Sequence, residues 1–282
     1  IARFAVNQYK YPSLDVRPYF KRNYLYGEAM THILGYVGRI NDRDVERLKK
    51  EEKFANYSGS TDMGKLGIER YYEEQLHGTT GFEEVEINNR GKVIRKLREQ
   101  PATAGKSIHL TIDFTLQRYI MSLLSGQKGA VVVLDPKDNS VLAMVSTPSY
   151  DNNLFVDGIS SSDYKRLLED PTRPLYSRAT QGVYPPASTV KPFVAVAALT
   201  EGVITPNTTI FDPGYWTLPN STKRFRDWKK TGHGYTDLNK AITESSDTFF
   251  YQTAFNLGID RFSMWMKRFG FGMPTGIEIQ EE

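Results

Sequence analysis

The 282 residues carry a net charge of +3, with 39% hydrophobic and 24% charged side chains and no cysteine. This composition is that of a globular protein with room for about two domains, and it argues against disorder. It excludes disulfides, thiol catalysis and zinc–thiolate sites, and it shows no nucleic-acid footprint. No apolar run approaches the roughly 20 residues that a membrane-spanning helix needs.

The first part of the chain, residues 1–106, is polar and contains little continuous apolar sequence. It begins with Ile1 rather than methionine, from which we expect a piece of a longer protein. Apolar spacing predicts short helices over 42–54 and 66–78. The segment 82–97 alternates apolar and polar residues around "NNRG", which predicts a hairpin with an Asn-Arg-Gly turn. We interpret this part as an elongated accessory module.

Near residue 107 the character of the sequence changes. Alternation over 108–112 predicts a strand, and Asp113 predicts the start of a helix. The stretch "GAVVVLDPKDNSVLAMVST" predicts two strands around a turn, with the wholly apolar strand buried on both faces. Further helices are predicted over 188–201 and 247–258. Strands packed against such helices indicate an α/β or α+β domain of the catalytic type.

The segment "YPPASTVKPFVAVAAL" places Ser188 and Lys191 at the start of a helix without a polar face, which predicts a buried helix. The hydroxyl of Ser188 falls near unpaired backbone N–H groups, and Lys191 is near enough to hydrogen-bond it. Burial disfavours the ammonium form, so a neutral Lys191 amine can take the serine proton. The alternative is a capping serine followed by a lysine whose stem covers apolar surface.

A second polar cluster, "SSD", comprises Ser245, Ser246 and Asp247 and precedes another apolar helix. Either Ser246 or Asp247 is predicted to cap that helix. Capping alone explains an isolated tripeptide of this kind.

Ser-x-x-Lys followed by Ser-x-Asp resembles the motifs of penicillin-binding proteins and serine β-lactamases. With "GIERYYEEQLHGTTG", "VSTPSYDNNLF", "RATQGVYPPASTVKPF" and "ESSDTFFYQ", the whole chain resembles class B penicillin-binding proteins of rod-type cell elongation. The resemblance implies an α+β fold: an N-terminal pedestal domain of the dimerisation type over 1–106, and over 107–282 the N-terminal portion of a transpeptidase domain like that of serine β-lactamases.

The resemblance also implies roles for four side chains. Ser188 would attack the D-Ala-D-Ala carbonyl of a peptidoglycan stem peptide and form an acyl-enzyme, with Lys191 as the general base. Ser245 would relay the proton toward the leaving D-Ala. Asp247 stands where many relatives carry asparagine, and its carboxylate would favour a charged Lys191, so protons are expected to be shared within the site. The backbone N–H of Ser188 would supply one oxyanion donor.

The family's third motif, Lys-Thr-Gly or Lys-Ser-Gly-Thr, lies on a strand after the second motif. This chain has "KTG" at Lys230–Gly232, before the second motif, in a polar basic segment without a strand pattern. We therefore interpret "KTG" as a chance match. We expect the true third motif beyond residue 282 and the piece alone to be inactive.

Asp212, Asp227 and His233 have the side-chain types of metal ligands, but they are dispersed along loops. Turn-forming and surface roles are the commoner explanation for such residues, and a metal site is the alternative; no metal and no cofactor are assigned. His32, His77 and His109 are assigned no chemistry.

The partners implied by the resemblance are peptidoglycan stem peptides, β-lactam antibiotics, elongation-complex proteins and a glycosyltransferase of the SEDS family. It also implies a single-pass anchor that holds the protein at the periplasmic face of the bacterial inner membrane.

Two alternatives remain open. One is a serine β-lactamase or DD-carboxypeptidase, and the other is a non-catalytic β-lactam sensor or scaffold. The pedestal argues against the hydrolase, because small hydrolases of this class lack such a module.

Overall fold

The computed structural model describes residues 2–7, 10–11, 19–89, 91 and 93–281. These residues belong to two compact units, 1–182 with 278–282 and 183–277. Both contain helices and antiparallel strand pairs, which confirms the predicted α+β class. The boundary predicted near residue 106 follows the change in composition and stays a prediction. Among the described residues, no helix is long and apolar enough to cross a membrane.

The first unit contains three antiparallel strand pairs, β1 with β2, β3 with β4 and β5 with β6. Its strands are β1 (Val37–Arg39), β2 (Asp62–Gly64), β3 (Phe82–Ile87), β4 (Val93–Gln100), β5 (Gly129–Leu134) and β6 (Val141–Thr147). Its helices are α1 (Ala2–Asn7), α2 (Thr31–Leu34), α3 (Asp42–Lys50), α4 (Phe54–Tyr57), α5 (Gly67–Tyr71), α6 (Glu73–His77), α7 (Phe114–Leu123) and α8 (Ser161–Glu169).

A buried glutamine fastens α7 to β6. The side-chain amide of Gln117 donates to the backbone oxygens of Ala29 and Met144, each at 2.9 Å, and its oxygen accepts from the Met144 N–H at 2.8 Å. Ile120 on α7 packs against Ala143 and Val145 of β6. Because each polar atom of Gln117 has a partner, these hydrogen bonds offset the cost of removing the amide from water.

The second unit packs four helices around one apolar core. Its helices are α9 (Lys191–Thr200), α10 (Leu238–Thr243), α11 (Asp247–Leu257) and α12 (Ile259–Arg268), and its strands are β7 (Ile210–Asp212), β8 (Tyr215–Thr217), β9 (Arg224–Arg226) and β10 (Gly234–Thr236). Strand β7 pairs with β10 and β8 pairs with β9, both antiparallel. The core consists of apolar side chains from all four helices and the loop after α9: Val194, Ala195, Ala198, Ile204, Ala241, Phe249, Phe250 and Met266.

Several predicted elements are confirmed and others are wrong. Asp113 caps α7 by accepting the N–H groups of Thr115 and Leu116, as expected. The predicted strand over 108–112 is absent from the described structure, although Leu110 and Ile112 are partly buried. The helix predicted over 42–54 ends earlier, at Lys50 of α3, and the helix predicted over 66–78 is divided into α5 and α6.

Two burial predictions also need correction. Strand β5 is apolar throughout but alternates in burial, with Val132 46% and Leu134 51% exposed, whereas β6 is the buried strand. Helix α9 is not buried all round, since Val196 is 47% exposed. The predicted hairpin is β3–β4, but its Asn-Arg-Gly turn includes Arg90, which lies outside the described residues.

Candidate active site

Ser188 lies in a 3-10 turn, Ala187–Val190, that leads directly into α9. Lys191 is the first residue of that helix and is 7% exposed. Ala187 has a φ of 48°, in the left-handed region that residues with a Cβ seldom adopt. Backbone strain of this kind concentrates at functional sites, where the surroundings hold it. The turn therefore presents Ser188 at a constrained point of the chain.

The ammonium group of Lys191 is held by three oxygen atoms. Nζ lies 2.6 Å from Asp247 Oδ1, 2.8 Å from the backbone oxygen of Ser245 and 3.1 Å from Ser245 Oγ. An ammonium group has three hydrogens, so each of them has an acceptor. The Lys191–Asp247 ion pair is largely withdrawn from solvent, with side chains 9% and 26% exposed. Lys191 therefore links α9 to the start of α11.

Ser245 joins the lysine to the serine. Its hydroxyl donates to Ser188 Oγ at 2.8 Å while its oxygen accepts from Lys191. Within the described chain, no hydrogen bond joins Lys191 directly to Ser188, so the predicted direct contact between them is wrong. The physical reason is that the lysine side chain extends toward α11, where the acceptors lie. The structure thus brings all four predicted site residues together, with Ser245 in the middle.

Ser245 itself has a strained backbone, with a φ of 56°. Its N–H donates to Ile242 O at 3.3 Å, which closes the end of α10. The left-handed conformation reverses the chain between α10 and α11, so that the backbone oxygen and the hydroxyl of Ser245 both reach Lys191 Nζ. Ser245 therefore contributes two separate groups to the site, a backbone oxygen that any residue there retains and a hydroxyl that is specific to serine.

Ser246 is the cap of α11, which decides between the two caps that the sequence allowed. Its hydroxyl accepts the N–H of Phe249 at 3.3 Å, and it also lies 2.9 Å from Asp212 Oδ2 and 3.3 Å from Asp227 Oδ2. Asp227 Oδ2 in addition accepts the N–H of Thr248 at 2.9 Å. Two buried carboxylates therefore support the turn that carries Ser245 and Asp247.

The surface interpretation of Asp212, Asp227 and His233 is wrong. These residues are 1%, 4% and 6% exposed, and His233 Nδ1 lies 2.7 Å from Asp212 Oδ2 and 3.7 Å from Asp227 Oδ1. Strands β7 and β10 pair and bring residues that are distant in sequence to one place. Burial by itself raises the pKa of Asp212, but hydrogen bonds from His233 and the Gly214 N–H outweigh burial and lower the pKa to about 2.

These three side chains have the geometry of a metal centre. Their ligand atoms all lie within 4.8 Å of one another, and they are the one such group among the residues that the structure describes. Buried carboxylates require a compensating charge, and even a protonated His233 balances only one of the two. Ser246 has a single hydroxyl hydrogen, so it can donate to only one carboxylate at a time. One imidazole and two carboxylates are a donor set that suits Zn²⁺.

Lys230–Gly232 lies in a turn, not on a strand. Gly232 has a φ of 73°, and its N–H donates to Lys229 O at 2.9 Å. Short strands β9 and β10 flank the turn, which corrects the expectation that this region has no strands. The third motif requires a position on a strand, and this "KTG" does not have one.

The remaining histidines have structural surroundings. His77 shares a hydrogen bond of 2.7 Å with Ser60 Oγ, and His109 is exposed. His32 is mostly buried, and burial lowers its pKa to about 4, so it is neutral near pH 7.

Two family models match this chain. One is described as "Penicillin binding protein transpeptidase domain" and matches residues 129–282, and the other is described as "Penicillin-binding Protein dimerisation domain" and matches residues 1–110.

The chain is also similar to curated proteins named peptidoglycan D,D-transpeptidase MrdA. The protein of Haemophilus influenzae is 84% identical over 100% of this chain and 43% of its own length. The protein of Escherichia coli K12 is 63% identical over 100% of this chain and 44% of its own length. The chain therefore spans less than half the length of these two relatives.

Two solved structures are similar as well. A complex between penicillin-binding protein 2 and MreC from Helicobacter pylori superimposes with a TM-score of 0.86 at 32% identity, covering 100% of this chain and 52% of that chain. Penicillin-binding protein 2 of Pseudomonas aeruginosa in complex with WCK 5153 has a TM-score of 0.78 at 45% identity, covering 95% of this chain and 54% of that chain.

The charge imbalance at Asp212, Asp227 and His233 predicts that the protein binds zinc. After equilibration with Zn²⁺ and desalting, we expect the protein to retain about one zinc ion per chain, measured by atomic mass spectrometry. His233→Ala and Asp212→Asn should lose the ion, and a chelator should lower the melting temperature of the parent protein but not theirs. Asp260→Asn, an exposed carboxylate change in the same unit, is the matched control. Zinc retained equally by His233→Ala would contradict the assignment.

Proposed function

Because the chain belongs to the penicillin-binding protein transpeptidase family, as its motifs predict, we propose that it carries the nucleophile-and-base half of a peptidoglycan D,D-transpeptidase site. In this proposal Ser188 is the nucleophile, Lys191 is the base, Ser245 is the proton relay and Asp247 holds the lysine. The observation that carries the proposal is the continuous hydrogen-bonded chain from Ser188 Oγ through Ser245 Oγ to Lys191 Nζ.

A count of hydrogens supports these roles. When Lys191 is an ammonium, its three hydrogens face Asp247 Oδ1, Ser245 O and Ser245 Oγ. A neutral amine has two hydrogens and one lone pair. The carboxylate and the carbonyl oxygen can only accept, so the two hydrogens remain with them. The lone pair must then face the Ser245 hydroxyl, the one partner of the three that can donate.

This arrangement defines the direction of proton transfer in acylation. When Lys191 is neutral, the Ser245 hydroxyl turns from Ser188 Oγ to donate to the lone pair of Lys191, and the Ser188 hydroxyl in turn donates to Ser245 Oγ. As Ser188 Oγ bonds to the carbonyl carbon of the penultimate D-Ala, its proton moves to Ser245 and the Ser245 proton moves to Lys191. When the C–N bond breaks, the same path returns a proton to the leaving D-Ala nitrogen. The amine is neutral again after the acyl-enzyme forms.

The second half-reaction reverses this order. The amine of another stem peptide attacks the ester carbon, an amide bond forms and the ester bond to Ser188 breaks. The attacking nitrogen loses one proton through Ser245 to Lys191, and Ser188 regains one, so the protons balance. The product is a cross-link between two peptides. A β-lactam would acylate Ser188 by the same route, with the amide bond of its ring taking the place of the peptide bond.

The full activity is proposed for the whole protein, since this chain spans 43% of the length of its H. influenzae relative. The Ser188 N–H is proposed as one oxyanion donor, and the second donor and the third motif are expected on a segment after residue 282. We expect the chain on its own to be inactive.

The cellular setting is also proposed from the family and its relatives. Residues 1–106 would serve as a pedestal, and the match of the dimerisation model to residues 1–110 supports that role. A single-pass anchor would hold the protein at the periplasmic face of the bacterial inner membrane. A SEDS-family glycosyltransferase and elongation-complex proteins would be its partners, and the Helicobacter pylori complex with MreC supports a place in such an assembly.

The nucleophile can be identified by penicillin labelling. We expect the full-length protein to react with a fluorescent penicillin, and proteolysis with mass spectrometry should find the label on a peptide from residues 181–203. Ser188→Ala should abolish labelling, whereas Ser160→Ala, a serine on an exposed helix cap in the first unit, should not. Label that survives Ser188→Ala would refute the assignment, and release of the drug within seconds would indicate a β-lactamase.

The contact between Asp247 and Lys191 should set the rate of acylation. Asp247→Asn keeps an acceptor oxygen for the Lys191 amine, so we expect an acylation rate within about threefold of the parent. Asp247→Ala removes the acceptor and should lower the rate at least about tenfold, measured with a fluorescent penicillin on the full-length protein. An alanine variant that acylates as fast as the parent would contradict the role of Asp247.

A further inference from the structure

A cationic segment is held against the turn that carries Ser245 and Asp247 and has no part in the proton path. It is formed by five exposed basic residues within residues 223–230: Lys223, Arg224, Arg226, Lys229 and Lys230. We call it the cationic ledge. None of the five forms an ion pair within the described part of the chain, although aromatic rings support two of them. Arg224 lies 4.3 Å above the ring of Tyr215, and Lys223 lies 5.2 Å above the ring of Phe225.

The ledge is attached to the catalytic turn at two points. The indole Nε1 of Trp228 donates to the backbone oxygen of Glu244 at 3.0 Å, immediately before Ser245. The carboxylate of Asp227 accepts the N–H of Thr248, immediately after Asp247, at 2.9 Å. The backbone from Asp227 to Lys230 is therefore fixed against the turn that carries Ser245 and Asp247. Lys229 and Lys230 directly follow Trp228 in the sequence.

Trp228 adds a second element of a binding surface. Trp228 is 64% exposed although its N–H is fixed by the bond to Glu244, and its ring lies at a steep angle to that of His233, with ring centroids 5.5 Å apart. An exposed indole held in one orientation offers a flat apolar contact at little cost in side-chain entropy. Unpaired cations next to such a ring fit a ligand that carries carboxylates on a compact backbone.

We infer that the cationic ledge is a binding subsite for an anionic peptide, in which Lys229 and Lys230 bind free carboxylates of the peptide substrate and Trp228 packs against its backbone. This inference rests on the proposed function, because it assigns the peptide to the substrate of Ser188. Carboxylates along the peptide, rather than its reacting D-Ala end, would be recognised there. Lys230, the lysine of "KTG", would therefore bind substrate from a turn, whereas the lysine of the family's third motif lies on a strand.

The test measures binding without turnover, in the full-length Ser188→Ala protein. The probes are a synthetic pentapeptide ending in D-Ala-D-Ala with two free side carboxylates, and the same peptide with both carboxylates amidated. At low ionic strength we expect the free-acid peptide to bind about fivefold more tightly than the amidated peptide. Raising the salt to about 0.5 M should remove most of this preference.

Lys229→Gln/Lys230→Gln should remove the preference, and Arg226→Gln should reduce it. The control Lys165→Gln/Lys267→Gln removes the same charge from exposed positions on α8 and α12. We expect it to preserve the preference for the free-acid peptide. Equal affinity for both peptides in the parent, or a preference that survives in the ledge variant, would overturn the inference. Because binding is measured without acylation, failure of the ledge is distinguishable from failure of Ser188 as nucleophile, which penicillin labelling reports.

Discussion

The site depends on one constraint: a buried lysine at the start of a helix must have acceptors for its hydrogens. Lys191 is 7% exposed, and an unpaired ammonium at this depth would cost several kcal/mol. Asp247 Oδ1 and two oxygens of Ser245 provide the acceptors. These contacts join the start of α9 to the start of α11. They are made by a Ser245 in a left-handed backbone conformation, from which its backbone oxygen and hydroxyl both reach the amine.

The rest of the second unit can be understood as support for that contact. Phe249 and Phe250 of α11 pack with Val194 and Ala198 of α9, so the apolar core and the Lys191 contacts hold the same two helices together. Ser246 caps α11. The carboxylate of Asp212 accepts a hydrogen bond from the Ser246 hydroxyl, and that of Asp227 accepts one from the Thr248 N–H. The two carboxylates have no direct bond to Lys191 in the described structure. Their effect on the chemistry would therefore be one of position, through the turn between α10 and α11.

Much of this could be predicted from sequence, and the limits are physical. The resemblance to penicillin-binding proteins predicts the roles of Ser188, Lys191, Ser245 and Asp247, whereas two short motifs before apolar helices are by themselves explained by helix caps. The hydrogen bonds that join the four residues could not be predicted in detail, because they depend on how α9 and α11 pack. The sequence favours surface roles for Asp212 and His233, because Asp212 ends the three-residue strand β7, His233 immediately precedes β10, and the pairing of strands this short leaves no periodic signal. The "FDPG" stretch, with Asp212 after an apolar residue and before a turn, was the one local hint of a fixed position.

The central claim is that Ser245 carries the proton between Ser188 and Lys191. Its most direct test is the rate constant of acylation by a β-lactam in the full-length Ser245→Ala protein. The backbone oxygen of residue 245 and Asp247 still hold Lys191 in this variant, so the fold and the lysine position should persist while the relay is lost. The account predicts a fall of at least about 100-fold with an unchanged melting temperature. A rate within about threefold of the parent would contradict it, because Lys191 would then act on Ser188 without the intervening hydroxyl.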